Sequence, residues 1–104
     1  ELTFGDWEGS TWPEIVARDP ARAHAREADK WGYAPPNGES YAMLAERVAP
    51  WLETVERDTL AVAHGGIARA LMVLRGATKP REAALADIWQ GRVLVIEPGR
   101  AEWV

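Results

Sequence analysis

The sequence contains no cysteine, which removes disulfides, zinc–thiolate sites and cysteine nucleophiles together. Histidine is scarce: His24 and His64 are the only two, so any imidazole chemistry rests on one of them. No apolar run approaches the length of a membrane span, and no signal-peptide pattern is visible. With the missing cysteines, this fits a cytoplasmic protein. There is no internal repeat and no low-complexity tract. Nor is there a basic excess. Twelve Lys and Arg stand against sixteen Asp and Glu, for a net charge of −4 and an isoelectric point near 5.1. That balance argues against nucleic acid as a partner. It leaves room for a small anionic substrate, because a local cationic pocket can sit on an acidic protein. Finally, the chain does not open on methionine; Glu1 stands first, and a motif begins at that residue.

What is present suits one small folded domain of 104 residues, 47% hydrophobic and 27% charged. Six tryptophans supply large apolar surfaces for a core, and Trp7, Trp12 and Trp51 are expected there. Residues 1–9 are polar and glycine-bracketed, and read as a loop. Thr11-Trp12-Pro13-Glu14 has capping-box spacing with proline in the first turn, so a short helix starts there and Asp19-Pro20 interrupts it. Residues 21–30 read as an exposed, alanine-rich helix carrying His24. Residues 31–40 contain Gly32, Pro35, Pro36, Asn37 and Gly38, a loop. Ser40 caps a long helix in which Leu44, Val48, Trp51, Leu52 and Val55 recur at helical spacing. Pro50 either kinks that helix or starts a second segment. Leu60-Ala61-Val62-Ala63 reads as a buried strand. Ile67, Ala70, Leu71 and Leu74 then follow a helical period that Gly76 can end, and residues 80–86 favour a further short helix. Val93-Leu94-Val95-Ile96 is apolar without alternation, which predicts a strand covered on both faces. Glu97-Pro98-Gly99-Arg100 suits a type II turn into a partner strand at 101–104. The order is that of an α/β chain.

Chemistry concentrates at two places. The first is the strand–His64–Gly65–Gly66–helix junction. A histidine at the end of a buried strand lies where α/β folds keep ligand sites. The helix that follows offers free N–H groups and the positive end of its dipole. Two glycines let that backbone approach a phosphate without side-chain clash. A protonated imidazole would add charge against a developing phosphoryl transition state. The competing reading is a buried histidine that caps a turn. The second place is the loop at 1–9, where Glu1, Asp6 and Glu8 lie among Gly5 and Gly9. A carboxyl beside a bound phosphate can hold a proton for a leaving oxygen. On composition alone, a solvated acidic loop is the better explanation.

Three segments carry a resemblance. Glu1-Leu2-Thr3-Phe4-Gly5-Asp6-Trp7-Glu8-Gly9 resembles the E-x-x-F-G-x-W-E-G segment of the histidine phosphatase superfamily. Asn37-Gly38-Glu39-Ser40 resembles its G-E-S turn before a long helix. Ala63-His64-Gly65-Gly66 through Arg69-Ala70-Leu71 resembles its second histidine motif, A-H-G-x-x-x-R-A-L. The three occur in family order and span essentially the whole chain. The resemblance implies a phosphoglycerate mutase-like three-layer α/β/α fold. It also implies a two-step phosphoryl transfer through phosphohistidine, with no metal and no cofactor. Glu1 matches the family's proton donor and acceptor. His64 matches the histidine that stabilises the phosphoryl group in flight. Gly65 and Gly66 match the backbone that lies against the substrate. The implied partner is a small phosphorylated metabolite.

The departure from the pattern lies in the nucleophile. The family's attacking histidine sits in an Arg-His-Gly loop near the N-terminus, and no Arg-His-Gly occurs here. His24 follows neither a strand nor a glycine loop and is expected on the surface. Ala63 stands where the arginine would precede His64. The expectation is therefore the C-terminal part of a single domain, residues 1–104, with the first strand and the nucleophile loop absent and no turnover from the chain alone. The strand ending at Ala63 would then have an open edge. Glu39 and Arg69 are candidates for a pairing that ties the G-E-S loop to the His64 helix. The segment between the glutamate loop and the G-E-S turn is short, as in phosphatase members such as alpha-ribazole phosphatase. Hydrolysis is favoured over phosphoglycerate mutase-type transfer and over a non-catalytic phosphate-binding or interaction module.

Overall fold

The computed structural model describes all of residues 1–104. Its elements begin with a single 3₁₀ turn at Gly5–Trp7. Helices α1 (Trp12–Arg18), α2 (Pro20–Ala28), α3 (Tyr41–Glu53), α4 (Gly65–Leu74) and α5 (Pro80–Leu85) follow. Strands β1 (Leu94–Glu97) and β2 (Arg100–Trp103) close the chain.

The helix ends follow local chemistry. Thr11 caps α1 with a reciprocal box: its side chain accepts from the Glu14 N–H while the Glu14 carboxylate accepts from the Thr11 N–H. Asp19 ends α1 and also caps α2, accepting from the Arg22 N–H with Pro20 in the first turn. Ser40 caps α3 by accepting from the Met43 N–H at 3.0 Å. Pro50 neither breaks nor restarts α3, which runs on to Glu53. Its missing donor leaves only the Glu46 carbonyl without a helical partner, and Glu46 is exposed to water. Helix α4 ends in a Schellman arrangement. Gly76, at φ +71°, donates to Val73 O, and Ala77 donates to Met72 O.

Two clusters form the core. In the larger, Tyr41, Leu44, Ala45 and Val48 of α3 pack against Ala70 of α4, Ala84 of α5 and Leu2. In the smaller, Trp7 is buried with Ile15 and Ala23, and Trp12 and Tyr33 pack around it. The Trp7 and Tyr33 rings stack at 5.9 Å, and Trp12 meets Trp7 edge-on at 6.0 Å. Trp51 departs from expectation: it is 44% exposed, near the end of α3, where little packs over it.

The β structure is smaller than the sequence pattern suggests. The single sheet is the antiparallel hairpin β1–β2, with Glu97 opposite Arg100 and Leu94 opposite Trp103. Gly99 takes φ +78° at its turn, as a type II turn requires. β1 is not covered on both faces; Leu94 and Ile96 are half-buried while Val95 faces out. The run Thr59–Ala63 is not a buried strand. It is irregular and exposed, with Leu60 81% and Val62 97% accessible. A strand needs hydrogen-bonded neighbours, and no segment of this chain pairs its backbone with this run.

The shape reflects this. The radius of gyration is 14.6 Å, against about 13 Å for a compact chain of this length. The accessible surface is 7031 Å², whereas a compact protein of this mass exposes about 5,800 Å². No helix is long and apolar enough to cross a membrane.

Candidate active site

Glu1 is held by its backbone. The loop at its end of the chain runs antiparallel to the loop before α3, and the two are closely joined. The Glu39 N–H donates to Thr3 O at 2.8 Å, and the Asp6 N–H donates to Pro36 O at 2.9 Å. Asn37 reaches across from a left-handed φ of 57°, and its side-chain amide donates to both oxygens of Asp6 at 3.1 Å. The approach is possible because residues 5 and 38 are glycine. A Cβ on Gly38 would lie 2.9 Å from Thr3 O and from the Phe4 carbonyl carbon.

Below this junction Arg47, two turns into α3, grips Glu39 side-on. Nε donates to Oε2 at 2.9 Å and Nη2 to Oε1 at 3.0 Å. The same Nη2 donates to the main-chain oxygen of Glu1 at 2.8 Å, and Glu39 Oε1 accepts the Thr3 N–H at 3.4 Å. The Arg47 hydrogen bonds hold the Glu39 carboxyl below its usual range. The Thr3 amide adds to this, and partial burial opposes it. Leu2, between the two anchored residues, is buried in the larger core.

His64 stands at the N-cap of α4 with extended backbone angles, φ −78° and ψ 161°, and its imidazole makes no capping bond. Its carbonyl accepts the N–H groups of Ile67 and Ala68. The ring is therefore free to face outward, and its Nε2 lies 3.7 Å from Oε2 of Glu1. The structure thus brings together the two residues singled out in the sequence as catalytic, both about two-thirds exposed. Here His64 ends an irregular segment, not a buried strand.

Gly65 and Gly66 form the first turn of α4, where backbone N–H groups have no helical acceptor. Their Cα atoms face side chains of neighbouring elements. A Cβ on Gly65 would lie 3.4 Å from the Ile88 side chain. One on Gly66 would lie 3.4 Å from Leu44, 3.5 Å from Leu2 and 3.6 Å from Tyr41. A Cβ at either position would make ordinary van der Waals contact, so both glycines face packed neighbours without being required by them.

Arg69 does not pair with Glu39. Its Nε and Nη2 donate to Ala86 O at 3.0 and 2.9 Å, and Nη1 donates to the Tyr41 hydroxyl at 2.8 Å. The guanidinium lies over the Tyr41 ring, which stacks on Trp31. Arg69 thereby ties α4 to α3 and to the segment that carries Ile88. Arg47, the true partner of Glu39, went unnoticed. The available signal was an opposite charge eight residues on, a spacing that returns a long side chain to the start of its own helix.

His24 is exposed on α2. An open cleft of about 480 Å³ begins at Glu1 and continues between Thr3, Phe4, Glu8 and Trp12, without His64 on its wall. Arg26 lies over the Phe4 and Trp12 rings at 5.7 and 5.6 Å. No group of three or more His, Asp or Glu side chains is gathered as a metal site.

Comparison with known proteins gives one family. The model of the histidine phosphatase superfamily (branch 1) matches residues 1–104. Among curated proteins, 6-phosphofructo-2-kinase 1 of Saccharomyces cerevisiae is 39% identical over 77 residues, 69% of this chain and 9% of that protein. The 6-phosphofructo-2-kinase/fructose-2,6-bisphosphatases of Caenorhabditis elegans and Gallus gallus are 36% and 35% identical over 74 residues, 69% of this chain and 16% of theirs. The chain thus spans less than a fifth of the length of these relatives.

Proposed function

The chain belongs to the histidine phosphatase superfamily (branch 1), and from that premise we propose that it carries the acid–base and charge-stabilising part of a phosphomonoester hydrolase site. Glu1 is the proton donor, His64 the imidazolium beside the transferring phosphoryl group, and the Gly65 and Gly66 N–H groups its further donors. The observation that carries the reading is the approach of Glu1 Oε2 to His64 Nε2 at 3.7 Å, at the start of a ten-residue helix.

Two steps follow. A histidine nitrogen bonds to phosphorus as the bond from phosphorus to the leaving oxygen breaks, and that oxygen takes the proton from Glu1. Water then attacks the phosphohistidine and gives its proton to the Glu1 carboxylate. Inorganic phosphate leaves, and the first histidine is regenerated. The charge gathered on the equatorial oxygens is met by His64 and by the helix N–H groups, with no role for a metal.

The attacking histidine belongs to an Arg-His-Gly loop that these residues do not contain, so the 104-residue chain alone has no turnover. In the complete site the Thr59–Ala63 run would be covered as a strand of a three-layer α/β/α sandwich. The substrate is a small phosphorylated metabolite. Relatives named as fructose-2,6-bisphosphatases favour hydrolysis of a sugar phosphate over mutase-type transfer.

The test compares two proteins on p-nitrophenyl phosphate and fructose 2,6-bisphosphate. The 104-residue chain should release no more phosphate than its His64→Ala variant. A protein in which an Arg-His-Gly segment precedes these residues should release inorganic phosphate and accumulate acid-labile phosphohistidine. Turnover by the short chain that is lost in His64→Ala would overturn the assignment of the nucleophile. Phosphoryl exchange without free phosphate would instead establish a mutase.

A further inference from the structure

The contacts of Glu39 and Arg47 have no place in the two steps just described, yet they converge on the residue proposed as proton donor. Glu39 touches the main chain of Thr3 twice, through its own N–H and through its carboxylate. Arg47 locks that carboxylate side-on and holds the Glu1 carbonyl oxygen with the same nitrogen. The main chain is thus held at residues 1 and 3, while the Leu2 side chain between them is buried. The Glu1 side chain itself is largely exposed, and no protein group other than the His64 ring restrains it. Its aim therefore depends on where its main chain is fixed. We propose that Glu39 and Arg47 are positioning residues for the Glu1 carboxylate, acting through the backbone at Glu1–Thr3 and touching no substrate. The inference rests on Glu1 being the proton donor.

A misaimed general acid has a particular signature. A leaving alkoxide of high basicity needs its proton in the transition state, whereas p-nitrophenolate leaves well without one. Loss of positioning should lower kcat/KM, which reports phosphohistidine formation, for an alkyl phosphate and spare it for p-nitrophenyl phosphate, since the later hydrolysis of phosphohistidine is common to both. A general loss of folding would slow both alike.

The experiment has two arms. In the protein carrying the Arg-His-Gly segment, Glu1→Gln, Arg47→Ala, Arg47→Lys and Glu39→Gln are assayed on glycerol phosphate and on p-nitrophenyl phosphate. Arg47→Ala should lower kcat/KM on glycerol phosphate by about 10- to 100-fold, with kcat/KM on p-nitrophenyl phosphate little changed. Arg47→Lys, which keeps the charge but not the fork, should fall between Arg47→Ala and wild type. In the 104-residue chain, amide exchange at Thr3 and Glu39 should quicken in Arg47→Ala but not in Glu46→Gln on the exposed face of the same helix. If Glu1→Gln lowers kcat/KM only on the alkyl ester while Arg47→Ala lowers it on both or neither, the positioning role is overturned and the proton donor stands. If Glu1→Gln lowers kcat/KM equally on both, the proton-donor reading fails and the inference fails with it. Unchanged exchange in Arg47→Ala overturns the clamp directly.

Discussion

Gly5 is the residue whose replacement should loosen the Glu1 loop most directly, and its effect can be worked out from two separate causes. It sits at φ +58°, a conformation that costs a residue with a Cβ about 1–2 kcal/mol. The added carbon would also lie 2.3 Å from Pro36 O and 2.4 Å from the Asn37 carbonyl carbon and the Gly38 nitrogen. All three are main-chain atoms, so no rotamer change relieves the overlap. The two loops must part by about 1 Å, at a cost typical of overpacking, about 1–3 kcal/mol. Gly9 supplies the control. It has φ +79° with nothing within 4 Å of its would-be Cβ, so alanine there meets the conformational cost alone. The difference between Gly5→Ala and Gly9→Ala is then the steric part, about 5- to 150-fold in the equilibrium that opens the loop pair. Amide exchange reads that opening at Asp6 and Glu39, whose N–H groups cross between the loops. Equal exchange in the two variants would refute the claim that this close approach holds the loops together.

Two further predictions concern the same framework. The Glu39 carboxyl is held below its usual range, first by Arg47. A depressed carboxylate contributes stability that is present above its unfolded value, near 4.5, and lost as pH falls through the lower folded value. Exchange at the Thr3 amide, corrected for intrinsic rate, should stay constant from pH 7 to 5 and rise below 4. Glu39→Gln should abolish that dependence, and a pH step that survives the substitution would assign it elsewhere. The second contrasts two apolar residues by denaturation or, failing a cooperative transition, by helical circular dichroism. Leu44→Ala, at the fully buried centre of α3, should cost about 2–5 kcal/mol. Val62→Ser, in the uncovered run, should change the 104-residue chain by less than about 0.5 kcal/mol. A comparable loss from Val62→Ser would mean that the segment is packed in solution.

How much of this was readable beforehand divides along physical lines. Features set by a few adjacent residues were legible: the Thr11–Glu14 box, the break at Asp19-Pro20, Ser40, the Gly76 helix end and the Pro98-Gly99 turn. Each depends on local hydrogen bonds and φ preferences, which sequence encodes directly. The Leu60–Ala63 run was not legible, because apolar character says that a segment would gain from cover, not that cover exists. Val93–Ile96 failed for the same reason. Arg69 is conspicuous in the sequence, but its partner is the Ala86 carbonyl and not Glu39. Its choice between Glu39 and the Ala86 carbonyl depends on how α4 is rotated against α3 and on where the chain after α5 runs. For the site itself, Glu1, His64 and the two glycines were identified by motif, but nothing local announces that Arg47 closes back on Glu1.

The proximity of Glu1 to His64 can itself be traced to packing one residue away on one side and two on the other. Leu2, next to Glu1, has its Cβ 3.5 Å from where a Cβ of Gly66 would stand, and Gly66 is two residues beyond His64. The separation of the two ionisable side chains is therefore governed by an apolar contact between their neighbours. Leu44, from the centre of the larger core, presses on the same point. A side chain larger than alanine at position 66 would push Leu2 away, and Glu1 with it, even if every backbone N–H of the α4 first turn stayed in place. Alanine at 66 would meet Leu2 and Leu44 at ordinary contact distance, so the acid–imidazole geometry limits this position to a small side chain without requiring glycine. It also explains how an exposed carboxylate can face an exposed histidine with no direct tether. Each is carried by a main chain that is itself fixed, Glu1 through Arg47, Glu39 and Leu2, and His64 through the start of α4 against α3.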